Sequence, residues 1–305
     1  MAFKSIHELL LYAKKKRSIC TVAVAGATEE HALLAVMKAR EEGIVHPLLV
    51  GDKGKITKFL KEMNIQIEDD AIYDAKDDAE TAWQTIQLVR LGKADLIMKG
   101  SLNTSVLLRA VLDKEEGLQN DGMITTMALA EVPGYHKVLC FSDGGVIPYP
   151  TLNQKKKQIQ LVTQVCHTMG YREVNVAVIC ANEMLNPKLV ESADAAELKK
   201  MNQINEIDGC IVEGPISLDI ALNAEVAKGK KFESPVAGEA DMLLFPNIVS
   251  ANVYAKAIDM AGAKIVSFLL GAEVPIALTS RTTTVENKFN TLAVAAAMID
   301  DRKKV

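Results

Sequence analysis

Apolar positions along the chain follow two rhythms. Short runs rich in Val, Ile and Leu are apolar at nearly every position. They alternate with longer stretches in which apolar residues return every three or four positions. The first rhythm belongs to strands covered on both faces, the second to helices with one buried face. This reading predicts strands at Ile19–Val24, His46–Val50, Asp95–Met98, Lys137–Phe141, Val174–Ile179, Cys210–Val212, Met242–Phe245, Lys264–Leu269 and Pro275–Thr279. It predicts helices at Glu29–Glu42, Lys53–Met63, Asp77–Leu91, Gln154–Met169, Pro187–Met201 and Val249–Met260. Strands alternating with helices predict an α/β fold with largely parallel sheet. Ile124–Val132 breaks the alternation, because it reads as a strand followed closely by another strand. Such a break fits a crossing between two domains.

Composition narrows the class. The chain has 305 residues, 49% of them apolar, enough core for one large domain or two ordinary ones. A net charge of -4 argues against a nucleic-acid partner, which usually demands a basic excess. Lys155-Lys156-Lys157 falls in a helical pattern and is expected to form a solvated face. Cys20, Cys140, Cys166, Cys180 and Cys210 contain no Cys-x-x-Cys pair, which predicts free thiols in a reducing compartment. The five histidines show no metal-ligand spacing. Asp69, Asp70, Asp74, Asp77 and Asp78 read as a turn and a helix start, since their spacing does not match a calcium loop. The amphipathic start carries its lysines after its apolar part, unlike a secretion signal, and no run approaches the ~18–20 apolar residues of a membrane span. A cytoplasmic location without a membrane partner is expected.

In a largely parallel sheet, ligands bind beyond the carboxyl ends of strands, in the loops before the next helix. Ala25-Gly26-Ala27-Thr28 lacks the dinucleotide glycines, Gly51-Asp52-Lys53-Gly54-Lys55 lacks the phosphate-loop spacing, and there is no Gly-x-Ser-x-Gly elbow. Five other stretches carry polar chemistry at such positions. In Met98-Lys99-Gly100-Ser101-Leu102-Asn103-Thr104, a strand gives way to a helix whose free N–H groups suit an anion. Lys99 lies beside that start, and Arg109 is a cation that could lean back toward it. In Thr279-Ser280-Arg281-Thr282-Thr283, a hydroxyl and a guanidinium directly precede a helix, and Thr283 with Glu286 has capping-box spacing. A guanidinium pairs bidentately with phosphate. The remaining three are the shaped loop Ser142-Asp143-Gly144-Gly145, the Glu213-Gly214-Pro215 stretch, and Ala240-Asp241 followed by Phe245-Pro246, Asn247, Asn252 and Lys256. Taken one at a time, each stretch is equally open to a structural reading: an ordinary cap, a surface ion pair or a packed loop.

As an ordered set, from Lys-Gly-x-x-x-Thr to the final Ser-Arg, they resemble the phosphate acetyl/butyryl-transferase family. The Lys99 loop, the Gly144-Gly145 pair and Ser280-Arg281-Thr282 look closer to phosphate butyryltransferases. The resemblance implies a two-domain α/β subunit like isocitrate and isopropylmalate dehydrogenases, with a cleft between domains. Residues 1–125 plus 280–305 would form a discontinuous first domain and 126–279 the second. It implies a homo-oligomer, at least a dimer, that moves a butyryl or branched-chain acyl group between coenzyme A and inorganic phosphate. Coenzyme A enters as a substrate, and no metal or other cofactor is required. Ser280 and Arg281 match the family's Ser-Arg pair, expected to be catalytic, with Arg281 also on the phosphate. Thr104 and Arg109 match a hydroxyl residue and a phosphate-site arginine, with Lys99 adding positive potential. Seven positions after the serine, acetyltransferases place an aspartate that acts as base; here Asn287 stands there. Glu286, next to it, is a candidate base, although capping also accounts for it. The alternatives are an acetyltransferase, a metal- and NAD-dependent hydroxyacid dehydrogenase on a related fold, and a non-catalytic acyl-CoA sensor.

Overall fold

The computed structural model describes residues 3–15, 19–119, 122–279 and 283–299. The first half of the chain runs through α1 (Ile6–Lys15), β1 (Cys20–Ala25), α2 (Glu30–Glu41), β2 (Val45–Gly51), α3 (Lys53–Glu62), β3 (Ile72–Asp74), α4 (Asp78–Arg90), β4 (Leu96–Lys99) and α5 (Thr104–Val111). The middle holds β5 (Thr125–Glu131), β6 (Leu139–Ser142), α6 (Leu152–Thr168), β7 (Val174–Ile179), α7 (Val190–Gln203) and β8 (Cys210–Ile216). There follow α8 (Leu218–Leu222), α9 (Ala224–Gly229), β9 (Met242–Leu244), α10 (Ile248–Met260), β10 (Lys264–Leu270), β11 (Ile276–Leu278) and α11 (Val285–Ala297).

Local chemistry explains many of these boundaries. Asp52 accepts from the Lys55 N–H to start α3, Asp77 from Glu80 to start α4, and Asn247 from Ser250 to start α10. Thr151 and Gln154 close a reciprocal capping box at α6. The acidic cluster is accounted for in the same way: Asp77 caps α4, Asp74 accepts the Lys53 N–H at 2.9 Å, and Asp69 pairs with the Lys53 ammonium at 2.8 Å.

The chain divides into two compact units. In chain order, the outer unit holds His7–Ile124 and Val266–Val305, and the inner unit holds Met1–Ile6 and Thr125–Ile265. The division falls after Ile265 rather than at 280, so the return to the outer unit already includes β11 and nearly all of β10. The physical reason is pairing: β11 runs parallel to β4, and β10 pairs antiparallel with β11. Strand order in the outer unit is β3-β2-β1-β4-β11-β10, parallel apart from that last pair. Strand order in the inner unit is β5-β6-β9-β7-β8, with β5–β6 antiparallel and the rest parallel. The break in alternation read at Ile124–Val132 is this β5–β6 pair, at the start of the inner unit.

Strands β1, β4 and β6 are buried over almost their whole length, as expected for strands covered on both sides. In the inner unit Phe141, Phe245 and Tyr254 pack as an aromatic trio, with ring centroids 5.1–6.4 Å apart. Lys155 departs from its expected place on a solvated face. It is buried, because its ammonium pairs at 2.7 Å with Asp194 on α7. Lys156 pairs with Glu206, so the lysine run serves packing between elements.

Candidate active site

The carboxyl ends of β1, β4 and β11 lie side by side in the outer unit. In register, Ala25 of β1 is opposite Lys99 of β4, and Ala277 of β11 is opposite Met98. The loops leaving β1 and β4 are pressed together. Gly100 donates to the Ala25 carbonyl at 2.9 Å and Ser101 to the Gly26 carbonyl at 2.8 Å. A Cβ on Gly100 would sit 2.2 Å from the Gly26 oxygen, and Gly26 has φ +80. Only glycine fits either position. The Ser101 hydroxyl donates to the Gly26 carbonyl at 3.1 Å and takes a bond from Thr28 at 2.8 Å.

Lys99 ends β4 and is buried. Its ammonium donates to the Gly100 carbonyl at 3.1 Å and the Leu102 carbonyl at 3.0 Å, so it shapes the loop as well as charging it. Asn103 is the N-cap of α5 but its side chain makes no cap bond, which suits the first turn of α5 to an anion. Thr104 is the first helical residue. Lys99, Leu102, Asn103 and Thr104 line a cleft of about 490 Å³ together with Ser267, Leu278 and Thr279. Lys99 and the first turn of α5 line the cleft together with the apolar Leu102 and Leu278.

Of the residues expected from the sequence, Lys99 and Thr104 are brought together. Arg109 is on the same helix but exposed, about 140° round the axis from Thr104 at 3.6 residues per turn, and does not line this cleft. Ser280 and Arg281 lie outside the described residues; Thr279, directly before them, lines the cleft. Glu286 requires a correction. The N-cap of α11 is Thr284, whose hydroxyl accepts from the Asn287 N–H at 3.2 Å, so Thr283 and Glu286 do not form the cap. The helix begins one residue later than the spacing suggested. Glu286 is then an exposed carboxylate in the first turn, where it favours the helix dipole. Asn287 holds the third place of the helix start.

The other stretches are more structural than chemical. Asp143, buried at the end of β6, accepts five hydrogen bonds. Its Oδ1 takes the Thr126 hydroxyl at 2.6 Å and the N–H groups of Gly145 and Val146 at 2.8 and 2.9 Å. Its Oδ2 takes the Thr125 hydroxyl at 2.8 Å and the Ile147 N–H at 3.2 Å. The amides of the glycine loop therefore face inward onto a carboxylate. Glu213 pairs with Lys199 at 2.6 Å, and a Cβ on the following Gly214 would meet Val178 at 2.9 Å. Asp241 precedes β9 at its amino end, bonded to the Asn175 N–H at 2.9 Å and paired with buried Lys137 at 2.9 Å. Among the described residues, no group of three His, Cys, Asp or Glu side chains is placed to hold a metal ion.

Sequence reasoning passed over Thr279, Glu29 and Lys288. Lys288 is completely buried on α11 and pairs with Glu29 at 3.2 Å. The sequence signal is faint: Lys288 stands next to Phe289 and four residues before Leu292, but Glu286, Asn287, Asn290 and Thr291 lie around it.

Comparison with known proteins agrees with the resemblance. The family described as Phosphate acetyl/butaryl transferase matches residues 78–296. The phosphate butyryltransferase of Clostridium acetobutylicum is 37% identical over 300 residues, covering 98% of this chain and 99% of its own. The phosphate acetyltransferase of Thermotoga maritima is 38% identical over 276 residues, covering 90% of this chain and 94% of its own. The crystal structure of a branched-chain phosphotransacylase from Enterococcus faecalis V583 superposes with a TM-score of 0.78 at 28% identity, over 92% of this chain and 99% of that one. A match over most of the chain, relatives above 30% identity at nearly full length, and the motifs in their order establish that the chain belongs to the phosphate acetyl/butyryl-transferase family.

Proposed function

We propose that this protein transfers a short acyl group, butyryl or branched-chain, reversibly between coenzyme A and inorganic phosphate. It does so by direct attack in a ternary complex, as a cytoplasmic homo-oligomer. The observation that carries this reading is the cleft at the ends of β4 and β11, with Lys99, the first turn of α5 at Thr104, and Thr279 around it. That setting suits a small oxyanion, and the two leucines beside it suit a short apolar chain.

In the reaction, phosphate attacks the thioester carbonyl. Arg281 holds the phosphate, Lys99 adds positive potential, and Thr104 donates to an oxygen; Arg109, which does not line this cleft, takes no part in the step. Orienting two bound substrates removes a large entropic part of the barrier. Ser280 donates to the carbonyl oxygen as charge develops there, or to the departing sulfur. A preorganised donor of this kind is worth about 10²–10³ in rate. The C–O bond forms, the C–S bond breaks, and the electron pair leaves with sulfur. A thiol of reference pKa near 8.5 leaves as thiolate without a strong acid, so this direction tolerates Asn287 in place of a base.

Acyl-CoAs of two to six carbons, mixed with phosphate and assayed for thiol release, test the proposal. A maximum at four or branched five carbons is expected. A maximum at two carbons would favour the acetyl reading, which the similarity to the Thermotoga maritima enzyme keeps as the alternative. Binding of butyryl-CoA with no release at any chain length would sink the catalytic reading.

A further inference from the structure

Lys288 has a use in the fold that the reaction scheme leaves unassigned. Its ammonium is fully buried, yet it sits on α11, which packs on α2. It reaches Glu29 at 3.2 Å and the Thr279 hydroxyl at 3.4 Å. Glu29 is the N-cap residue of α2, a place where side chains usually bond the first-turn N–H groups. Its carboxylate makes no such bond and is turned to Lys288 instead. Thr279 is buried and spends its single proton on the Lys99 carbonyl at 3.0 Å.

The direction of these bonds is fixed. An ammonium can only donate, so Thr279 must accept from Lys288 and send its own proton on. The Lys99 carbonyl receives that proton. The Lys99 ammonium, from the same residue, ties down the Gly100 and Leu102 carbonyls. One chain of hydrogen bonds thus runs from α2 and α11, through the end of β11, to the end of β4 and the loop that opens α5. Two of its members, Thr279 and Lys99, line the cleft.

We propose that Lys288 and Thr279 are positioning residues for the phosphate end of the cleft, holding the carboxyl ends of β4 and β11 at the spacing the anion needs. This rests on the phosphate acyltransferase reading of the same cleft. Neither residue is a proton carrier in this account. Lys288 acts through Thr279, and Thr279 through Lys99. The placement predicts an effect on phosphate, since Lys99 and Thr104 beside Thr279 form the anion end of the cleft.

Thr279→Val keeps the side-chain shape and removes the hydroxyl, leaving the Lys99 carbonyl without that donor. Thr279→Ser restores the hydroxyl. Lys288→Met removes the start of the chain. The three variants and the parent are compared by thiol release with butyryl-CoA, by calorimetric titration with inorganic phosphate, and by thermal melting. Thr279→Val is expected to raise the phosphate KM and Kd about tenfold, the usual scale for a buried polar group left unpaired. Thr279→Ser is expected to stay within about twofold of the parent on that same scale. Lys288→Met is expected to follow Thr279→Val; if it fails to fold, the Thr279 pair decides. A Thr279→Val protein that melts lower but keeps the parent's phosphate KM and Kd would overturn the proposal and leave a structural role only. If the parent releases no thiol from any acyl-CoA, the acyltransferase reading fails, while the phosphate titrations still decide the positioning claim. A parent that binds no phosphate overturns both.

Discussion

Asp143→Asn is the sharpest perturbation of the inner unit, because the side chain's surroundings are almost all donors. If the amide oxygen takes the Oδ1 place, it keeps the Thr126 hydroxyl and the Gly145 and Val146 N–H groups, now without the charge. The amide nitrogen then falls at Oδ2, facing the Ile147 N–H and the Thr125 hydroxyl. Ile147 cannot adapt, since an N–H has nothing to accept with. Thr125 can turn its proton away, but it already takes a bond from Gln158 at 3.2 Å and lies 3.2 Å from the Ser142 hydroxyl. Bonds to a charged group are worth about 1.5–3 kcal/mol each, and a buried donor left unmade costs about 1–3. Relief from burying a charge offsets part of this. A net local loss of about 2–4 kcal/mol follows, or a rise of roughly 30- to 1,000-fold in the opening of the loop. Amide hydrogen exchange read by mass spectrometry over residues 142–152 measures it, with a segment of the outer unit such as 45–62 as internal control. The loop segment should lose protection while the control does not change. Unchanged exchange over 142–152 would refute the account of Asp143 as the acceptor that holds the glycine loop.

Other consequences can be checked separately. Arg281→Ala should lower kcat/KM about 10²–10³-fold, the scale of a lost preorganised donor, and leave the melting temperature nearly unchanged; near-parent rates at saturating phosphate would remove Arg281 from the site. Glu286→Gln should stay within about tenfold of the parent, since Thr284 caps α11 without it; a loss beyond about 10³ would assign Glu286 as the base. Burial pushes the Cys180 and Cys210 thiols up to about 11, and buries Cys20, Cys140 and Cys166. At pH 8 roughly one part in a thousand of the Cys180 and Cys210 thiols is thiolate, so a thiol reagent should react slowly with the native protein and rapidly with all five thiols after denaturation. The Ser217 hydroxyl and then the Lys230 ammonium hold the Asp219 carboxyl down at about 2. Its folded value lies below the free one, so the Asp219–Lys230 pair is complete above about pH 4. The pair is lost as pH falls toward 2, which carboxyl chemical shifts in an NMR titration would follow.

The fold was legible because its signals are local. Most parallel strands are apolar runs, and several give way to a helix whose cap residue follows closely, as at Asp52, Asp77 and Asn247, so strand and cap are written within a few residues. Val174–Ile179 was placed to the residue, and most other elements within two. The misreadings have two causes, a partner far along the chain and a choice between neighbouring registers. Lys155 looks like a solvated lysine until Asp194, 39 positions away, takes its ammonium. Thr283 and Glu286 have the spacing of a cap, but so do Thr284 and Asn287, and spacing alone does not choose between neighbouring registers.

The candidate site shows the same division. Lys99 and Thr104 were readable because they flank one strand-to-helix turn. Thr279 was visible only as the end of a strand, and Glu29 and Lys288, 259 positions apart, carried no joint signal at all. Yet these residues determine whether Lys99 faces a cleft of useful shape. A charged lysine is costly to bury, and a fold that only needed α11 against α2 could have used Leu or Met there. The ammonium in its place gives direction: it forces the Thr279 proton toward β4, which an apolar side chain could not do. The motif residues therefore indicate what the site binds, and the buried pair behind them accounts for how β4 and β11 are held at the spacing on which that binding depends.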